Sequence, residues 1–83
     1  MPNFNRRFAE PIRLANGPVL ATLRDAAEII GGLASFRQQP PTWEYAAELV
    51  LWAATTGRKE DVEEARLQIL RALRTDGTVL AGD

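Results

Sequence analysis

The side chains that could do acid–base chemistry in this chain are carboxylates, one lysine and one tyrosine, because the sequence contains no cysteine and no histidine. Glu44 with Glu48, and Glu60 with Glu64, form pairs four positions apart, and paired carboxylates can in principle catalyse hydrolysis. The same spacing is typical of a solvated helix face. The missing thiol and imidazole groups exclude a His-based triad, a Cys nucleophile and the usual zinc sites. We therefore predict that the protein is not an enzyme, with no catalytic residue, no metal site and no cofactor.

Arginines give the first part of the chain a local excess of positive charge, at Arg6, Arg7, Arg13 and Arg24. The whole chain is nevertheless slightly acidic, with ten Lys or Arg against eleven Asp or Glu. The predicted third helix also opens with acidic residues, at the end that a recognition helix would insert into DNA. Because phosphate contacts dominate nucleic-acid binding, nucleic acid is an unfavoured partner.

The length of 83 residues, with 46% apolar and 25% charged residues, indicates one soluble domain over residues 1–83. Residues 1–7 are expected to form a flexible N-terminal arm. No apolar run of the kind found in secretory signals follows them, and the longest apolar stretch, residues 49–54, is too short to span a bilayer. We expect a cytoplasmic protein that does not contact membranes.

Apolar periodicity and turn signals predict an α+β fold, in which an N-terminal β-hairpin precedes three helices. The strands, residues 11–14 and 19–22, flank Asn16-Gly17, which favours a two-residue type I′ turn. Residues 78–80 have the composition of a short third strand. Thr22 and Asp25 form a capping arrangement that starts the first helix at Leu23. Gly31-Gly32 then indicates either an early helix end or another backbone packed closely against the helix.

The second helix is predicted over residues 43–56, with Thr42 as N-cap and Gly57 as the positive-φ residue that ends it. The third helix is predicted from about Asp61 to Thr75. Its buried stripe is expected to contain Val62, Ala65, Ile69, Ala72 and Leu73.

The second helix is apolar around most of its circumference, which exceeds the stripe that a surface helix ordinarily buries. One interpretation makes it a central helix, surrounded by the hairpin and the two other helices. The other makes Tyr45, Leu49 and Trp52 an interface with another chain, because tyrosine and tryptophan are enriched in interface hot spots. We predict a homodimer through this side, with an unidentified protein as the other candidate partner.

Aromatic side chains also suggest an alternative function, a small-ligand sensor with a pocket between the hairpin and the helices. Phe36 and Trp43 are the candidate lining residues, although aromatics at helical spacing are more often part of a core.

An ordered set of short patterns resembles a small bacterial family of uncharacterised α+β domains, known only as a domain of unknown function. The residues that carry the resemblance are Phe8-x-x-Pro11-Ile12, Asp25-Ala26-Ala27-x-x-Ile30, Gly57, Ala65-Arg66, Ile69, Ala72 and Gly77-x-Val79. Family members tend to have Trp-Pro at the end of the first helix and a cysteine in the second, and both are absent here. The resemblance implies a bacterial protein and supplies no catalytic residue. The sequence therefore predicts a non-enzymatic, self-associating interaction or regulatory module.

Overall fold

The computed structural model describes residues 2–15, 17, 19–36 and 41–75, with the backbone alone at 33–36 and 41. Over these residues the chain forms β1 (Arg7–Arg13), β2 (Val19–Thr22), α1 (Leu23–Phe36), α2 (Pro41–Thr56) and α3 (Lys59–Thr75). The predicted α+β fold of a hairpin followed by helices is confirmed. The predicted third strand at residues 78–80 lies outside the described residues.

The two strands pair antiparallel, with Ile12 opposite Leu20 and Arg7 opposite Thr22. Between these pairs β1 advances five residues while β2 advances two, so β1 bulges away from its partner. Pro11, which has no N–H to donate to a strand ladder, lies in this irregular stretch. The pairing is therefore regular only near the turn.

The turn of the hairpin is closed by a hydrogen bond of 3.1 Å from the Gly17 N–H to the Leu14 carbonyl. The predicted type I′ turn at Asn16-Gly17 includes a residue outside the described part of the chain. Such a turn would be closed by the N–H of Pro18, which proline lacks. The bond to Leu14 closes the turn one residue earlier, and Gly17 adopts a φ of 117° that favours glycine. Asn16 and Pro18 themselves lie outside the described residues.

The start of α1 is the predicted reciprocal cap. The Asp25 N–H donates to the Thr22 hydroxyl oxygen over 3.3 Å, and the Thr22 N–H donates to the Asp25 carboxylate over 3.1 Å. The carboxylate also accepts a bond of 2.9 Å from the Ala21 N–H. These contacts supply partners to backbone groups that a helix start leaves unpaired.

The glycine pair in α1 does not end the helix, which runs on to Phe36, so the predicted early helix end is wrong. Among the described residues, a Cβ built on Gly32 would have no atom beyond the neighbouring helix backbone within 4 Å. Burial of Leu23 and Ile30 anchors the helix, because tertiary packing stabilises a helix more than propensity does.

The other two helices each begin two residues earlier than predicted, α2 at Pro41 and α3 at Lys59. Proline suits a first helical position because its φ is already helical and it has no N–H to leave unpaired. Thr42, the predicted N-cap, consequently lies inside α2. Gly57 follows the last residue of α2 with a φ of 68°, as predicted, and its N–H donates to the Ala53 carbonyl over 2.8 Å.

The core lies where the hairpin, α1, α2 and α3 meet, and Trp43, Leu23 and Ile69 are its largest fully buried side chains. All five residues of the predicted stripe on α3 are buried. Gln68 is a buried polar residue that the periodicity did not identify, and its amide donates to the Thr42 carbonyl over 3.1 Å. This bond joins the middle of α3 to the start of α2.

The N-terminal segment, expected to be a flexible arm over residues 1–7, makes specific hydrogen bonds with two helices. The Asn3 N–H donates to the Ala54 carbonyl near the end of α2 over 2.8 Å. The carbonyls of Phe4 and Arg6 accept bonds of 2.8 and 3.0 Å from the second and first N–H groups of α1. Helix ends offer unpaired groups to a neighbouring chain segment, and sequence patterning does not reveal such partners.

Candidate functional site

The second helix buries one side and leaves the opposite side open. At about 100° per residue, its buried residues gather on a single arc. α3 and α1 are the elements that pack on this arc, which consists of Trp43, Ala46, Val50, Ala53 and Ala54. Within the described residues, the hairpin, α1 and α3 therefore do not surround α2, because its outer side stays exposed.

Two aromatic side chains lie on the open side of α2. Tyr45 is 47% exposed and Trp52 is 57% exposed. Seven residues separate them, which places them about two turns, or 10 Å, apart along one side of the helix. Leu49 lies between them, partly buried against the core. We call Tyr45, Leu49 and Trp52 the aromatic face, and the structure brings all three predicted interface residues onto it.

Negative charge borders the aromatic face. Glu44 and Glu48 are both exposed, and α2 contains no lysine or arginine. Glu48 lies within one turn of both Tyr45 and Trp52. The Thr55 hydroxyl donates a hydrogen bond of 2.9 Å to the Leu51 carbonyl, one turn earlier in α2. The aromatic face is thus apolar at its centre with an acidic edge.

Leu51 is an exposed apolar residue of α2 that the prediction did not single out. It is 53% exposed and lies about 100° around the helix from Trp52, beyond the glutamates. Leu67, an exposed apolar residue of α3, is 52% exposed. Single exposed leucines are common on protein surfaces. The aromatic face differs because its large side chains repeat along one side of a single helix.

Trp43, one of the two predicted pocket residues, does not line an open site within the described structure. Trp43 is 1% exposed and packs in the core, and its Nε1 has no hydrogen-bond acceptor among the described residues. The side chain of Phe36 lies outside the described residues. Trp43 therefore acts as a core residue here.

The carboxylates do not assemble a reactive site within the described residues. The glutamate pairs Glu44 with Glu48 and Glu60 with Glu64 are exposed, and no group of three carboxylates in this part of the chain could hold a metal ion.

One carboxyl group on α3 has a shifted pKa. Glu63 accepts hydrogen bonds of 2.8 and 2.5 Å from the guanidinium of Arg66. These bonds, with the attraction between the charges, lower the pKa of Glu63. They also raise the pKa of Arg66. Both shifts favour the charged forms, as in a surface ion pair, so neither group is poised for proton transfer at neutral pH.

Comparisons with known proteins leave the family of this chain unassigned. None of the helices within residues 23–36 and 41–75 has the length and apolar content needed to cross a membrane. The resemblance to a family of uncharacterised bacterial domains remains a hypothesis based on short patterns. No protein-family model matches the chain, and neither does any curated protein or solved structure.

Proposed function

We propose that this protein is a non-enzymatic interaction module that pairs with a second copy of itself through the aromatic face. The observation that carries the proposal is the exposure of Tyr45 and Trp52 on one side of α2, two turns apart. Residues of these two types are the commonest hot spots of protein interfaces. A cytoplasmic location and the absence of catalysis are part of the same proposal.

The area exposed by the two aromatic side chains limits how strong the proposed pairing can be. Tyr45 and Trp52 each leave roughly half of their surface uncovered, on the order of 100 Å² per residue. Covering both residues on two copies would remove about 400 Å², which contributes about 10 kcal/mol at about 25 cal/mol per Å². Association costs about 4–15 kcal/mol in lost freedom of motion. Because the two terms are similar, burial of these four side chains alone gives at best a dissociation constant of about 40 µM, so we expect a weak dimer.

The aromatic face is suited to pairing with itself. In an antiparallel arrangement about a two-fold axis near Leu49, Tyr45 of one copy would lie against Trp52 of the second copy, and the reverse contact would follow by symmetry. The midpoint between positions 45 and 52 falls between Glu48 and Leu49, about 50° around the helix from each. Leu49 would therefore contact its own equivalent, and Glu44 and Glu48 would lie at the solvated rim, only when the axis is displaced toward Leu49.

The charge beside the face disfavours other occupants. An anionic membrane surface or a nucleic acid would be repelled by Glu44 and Glu48, and α2 has no basic residue to compensate. A second copy avoids this repulsion when the glutamates remain in water at the rim, where charges are screened.

Sedimentation velocity over roughly 10 µM to 1 mM protein tests the proposal directly. We expect the native chain to shift from monomer to dimer, and Trp52→Gln to weaken the dimer at least tenfold, a loss of about 1.4 kcal/mol. Leu67→Gln is the matched control, because it removes an equally exposed apolar side chain from α3. A native chain that stays monomeric at about 1 mM would exclude the proposal. An equal loss in both variants would place the interface elsewhere.

A further inference from the structure

A groove of about 640 Å³ lies between the N-terminal segment, the start of β1 and the start of α3. Three cationic side chains line it, from Arg6, Arg7 and Lys59. They come from positions more than 50 residues apart in the sequence and are brought together because β1 packs on α3. We call this surface the basic groove.

The positive charge of the basic groove is largely uncompensated. Glu63, its one lining carboxylate, is held by Arg66 over 2.5 Å. Within the described residues, Arg7 and Lys59 have no side-chain partner. Arg6 donates to the Gly57 carbonyl through one of its amino groups, and a guanidinium has five N–H donors in all. Most of its donors therefore remain available.

Two asparagines add neutral donors to the same groove. The side-chain oxygen of Asn3 accepts a bond of 3.0 Å from the Asn5 N–H, and the side-chain oxygen of Asn5 accepts one of 3.3 Å from the Arg24 guanidinium. Because both oxygens are occupied by donors, each amide has its NH₂ group left to offer. The groove therefore presents both charged and neutral donors, with Glu63 as its one lining carboxylate.

We propose that the basic groove binds a small phosphorylated ligand. Phosphate oxygens only accept hydrogen bonds at neutral pH, and arginine, lysine and amide N–H groups are their usual partners. Ala9 and Val62 supply an apolar wall against which the organic part of a phosphate ester can pack. The groove volume falls within the range of about 300–1,000 Å³ found for small-molecule sites.

The surroundings of the groove favour a small ligand over a nucleic acid. An adjoining groove shares Lys59 and Glu63 but is also lined by Glu10 and Glu60. A phosphate chain that continued in that direction would meet these carboxylates. The acidic neighbour therefore limits the length of anion that the basic groove can hold.

This inference does not depend on dimerisation, since the groove and the aromatic face share no residue. The ligand site proposed here is lined by residues other than Phe36 and Trp43, the pocket residues predicted from the sequence. A sensor or regulatory domain needs such a site for a soluble signal, and a bound phosphate ester would stabilise the native state by mass action.

Titration of the ¹⁵N-labelled full chain tests the proposal, with inorganic phosphate, pyrophosphate and adenosine diphosphate as separate probes. We expect chemical-shift changes at the backbone amides of residues 3–9 and 59–63, with adenosine diphosphate binding more tightly than phosphate alone. Arg7→Gln and Lys59→Gln should each weaken binding about tenfold. Arg13→Gln is the matched control, because it removes an exposed arginine of β1 that does not line the groove. It should change affinity less than about twofold.

Three results would overturn the proposal. One is the absence of shift changes at the groove with all three probes. Another is an equal loss of affinity in Arg13→Gln and Arg7→Gln, which would indicate a diffuse effect of net charge. The third is tighter binding of a single-stranded oligonucleotide than of adenosine diphosphate, which would favour a nucleic-acid partner. Both groove variants change exposed side chains, and their amide spectra report directly whether each variant is folded.

Discussion

The guanidinium of Arg6 donates a hydrogen bond to the carbonyl oxygen of Gly57, 51 positions further along the chain. Gly57 follows the last residue of α2, where helix carbonyls lack partners within the helix. The Asn3 N–H supplies a second donor at this end, to Ala54. A cation is favourable here because the C-terminal end of a helix carries partial negative charge. The N-terminal segment thus caps α2 from outside the helix.

Removing this cap should destabilise the fold modestly. For Arg6→Gln we expect the free energy of unfolding to fall by about 1 kcal/mol, because an exposed side-chain hydrogen bond and its charge are lost. Urea denaturation monitored by circular dichroism measures the change. Arg13→Gln should stay within about 0.5 kcal/mol of the native chain. Equal stability of the two variants would show that the contact with Gly57 contributes nothing.

Two glycine-to-alanine substitutions should have opposite effects. Gly32 is exposed in α1 with open space at its Cβ position, so Gly32→Ala should raise the free energy of unfolding by about 0.5–1 kcal/mol. Gly57→Ala should lower it by about 1–2 kcal/mol, since its φ of 68° is strained for any residue with a Cβ. Thermal and urea denaturation of the pair measures the signs. A gain in stability from Gly57→Ala would contradict the left-handed conformation.

Trp43→Phe, which removes the indole N–H, should destabilise the fold far less than Trp43→Ala, which removes the whole ring. Its Nε1 is buried without an acceptor among the described residues, so Trp43→Phe removes an unpaired donor and should cost less than about 1.5 kcal/mol. Trp43→Ala leaves a cavity and should cost about 3–5 kcal/mol.

The control for this pair lies on the same helix. Trp52→Ala changes an exposed tryptophan and should alter stability by about 0.5 kcal/mol or less at a concentration where the chain is monomeric. Equal costs for Trp43→Phe and Trp43→Ala in chemical denaturation would argue that the indole N–H has a partner.

The ion pair between Glu63 and Arg66 predicts a small pH-dependent contribution to stability. Its bonds lower the pKa of Glu63 below the ordinary value of 4.5, so the contribution is present above that value and is lost as the pH falls through the folded-state pKa. Arg66 stays protonated throughout this range. Because Glu63 is well exposed, Glu63→Gln should cost only about 0.3–0.5 kcal/mol at pH 7.

Urea denaturation at neutral and strongly acidic pH measures this effect. The difference between the native chain and Glu63→Gln should be present at neutral pH and vanish in acid, where the carboxyl is protonated in both the folded and unfolded states. Glu64→Gln, one residue along α3 and without such a partner, should show no comparable difference. A difference that persists in acid would assign the effect to helix propensity.

Local chemistry explains which parts of the fold were predictable. Thr22 and Asp25 are three positions apart, and their reciprocal bonds need only the helix start that they define. The stripe on α3 follows from its period alone. The hairpin itself was also predictable, because the two alternating segments flank a turn signal.

The aromatic face also depends partly on local helix geometry and partly on packing. Periodicity placed Tyr45, Leu49 and Trp52 on one side of α2, because helix geometry sets that relation before any packing occurs. Whether that side was covered depended on the direction from which α1 and α3 approach, and no local pattern contains that information. The structure leaves the side open.

The basic groove could be predicted from the sequence only in part. Composition established that the chain has no thiol or imidazole chemistry, and the sequence shows a local excess of positive charge in the first 24 residues. It could not show that Arg6 and Arg7 meet Lys59, because their separation along the chain says nothing about distance in space. That meeting depends on β1 packing against α3 and on the N-terminal segment bonding to two helix ends. Long-range packing and hydrogen bonding therefore created the groove, whereas short-range spacing created the helices that form its frame.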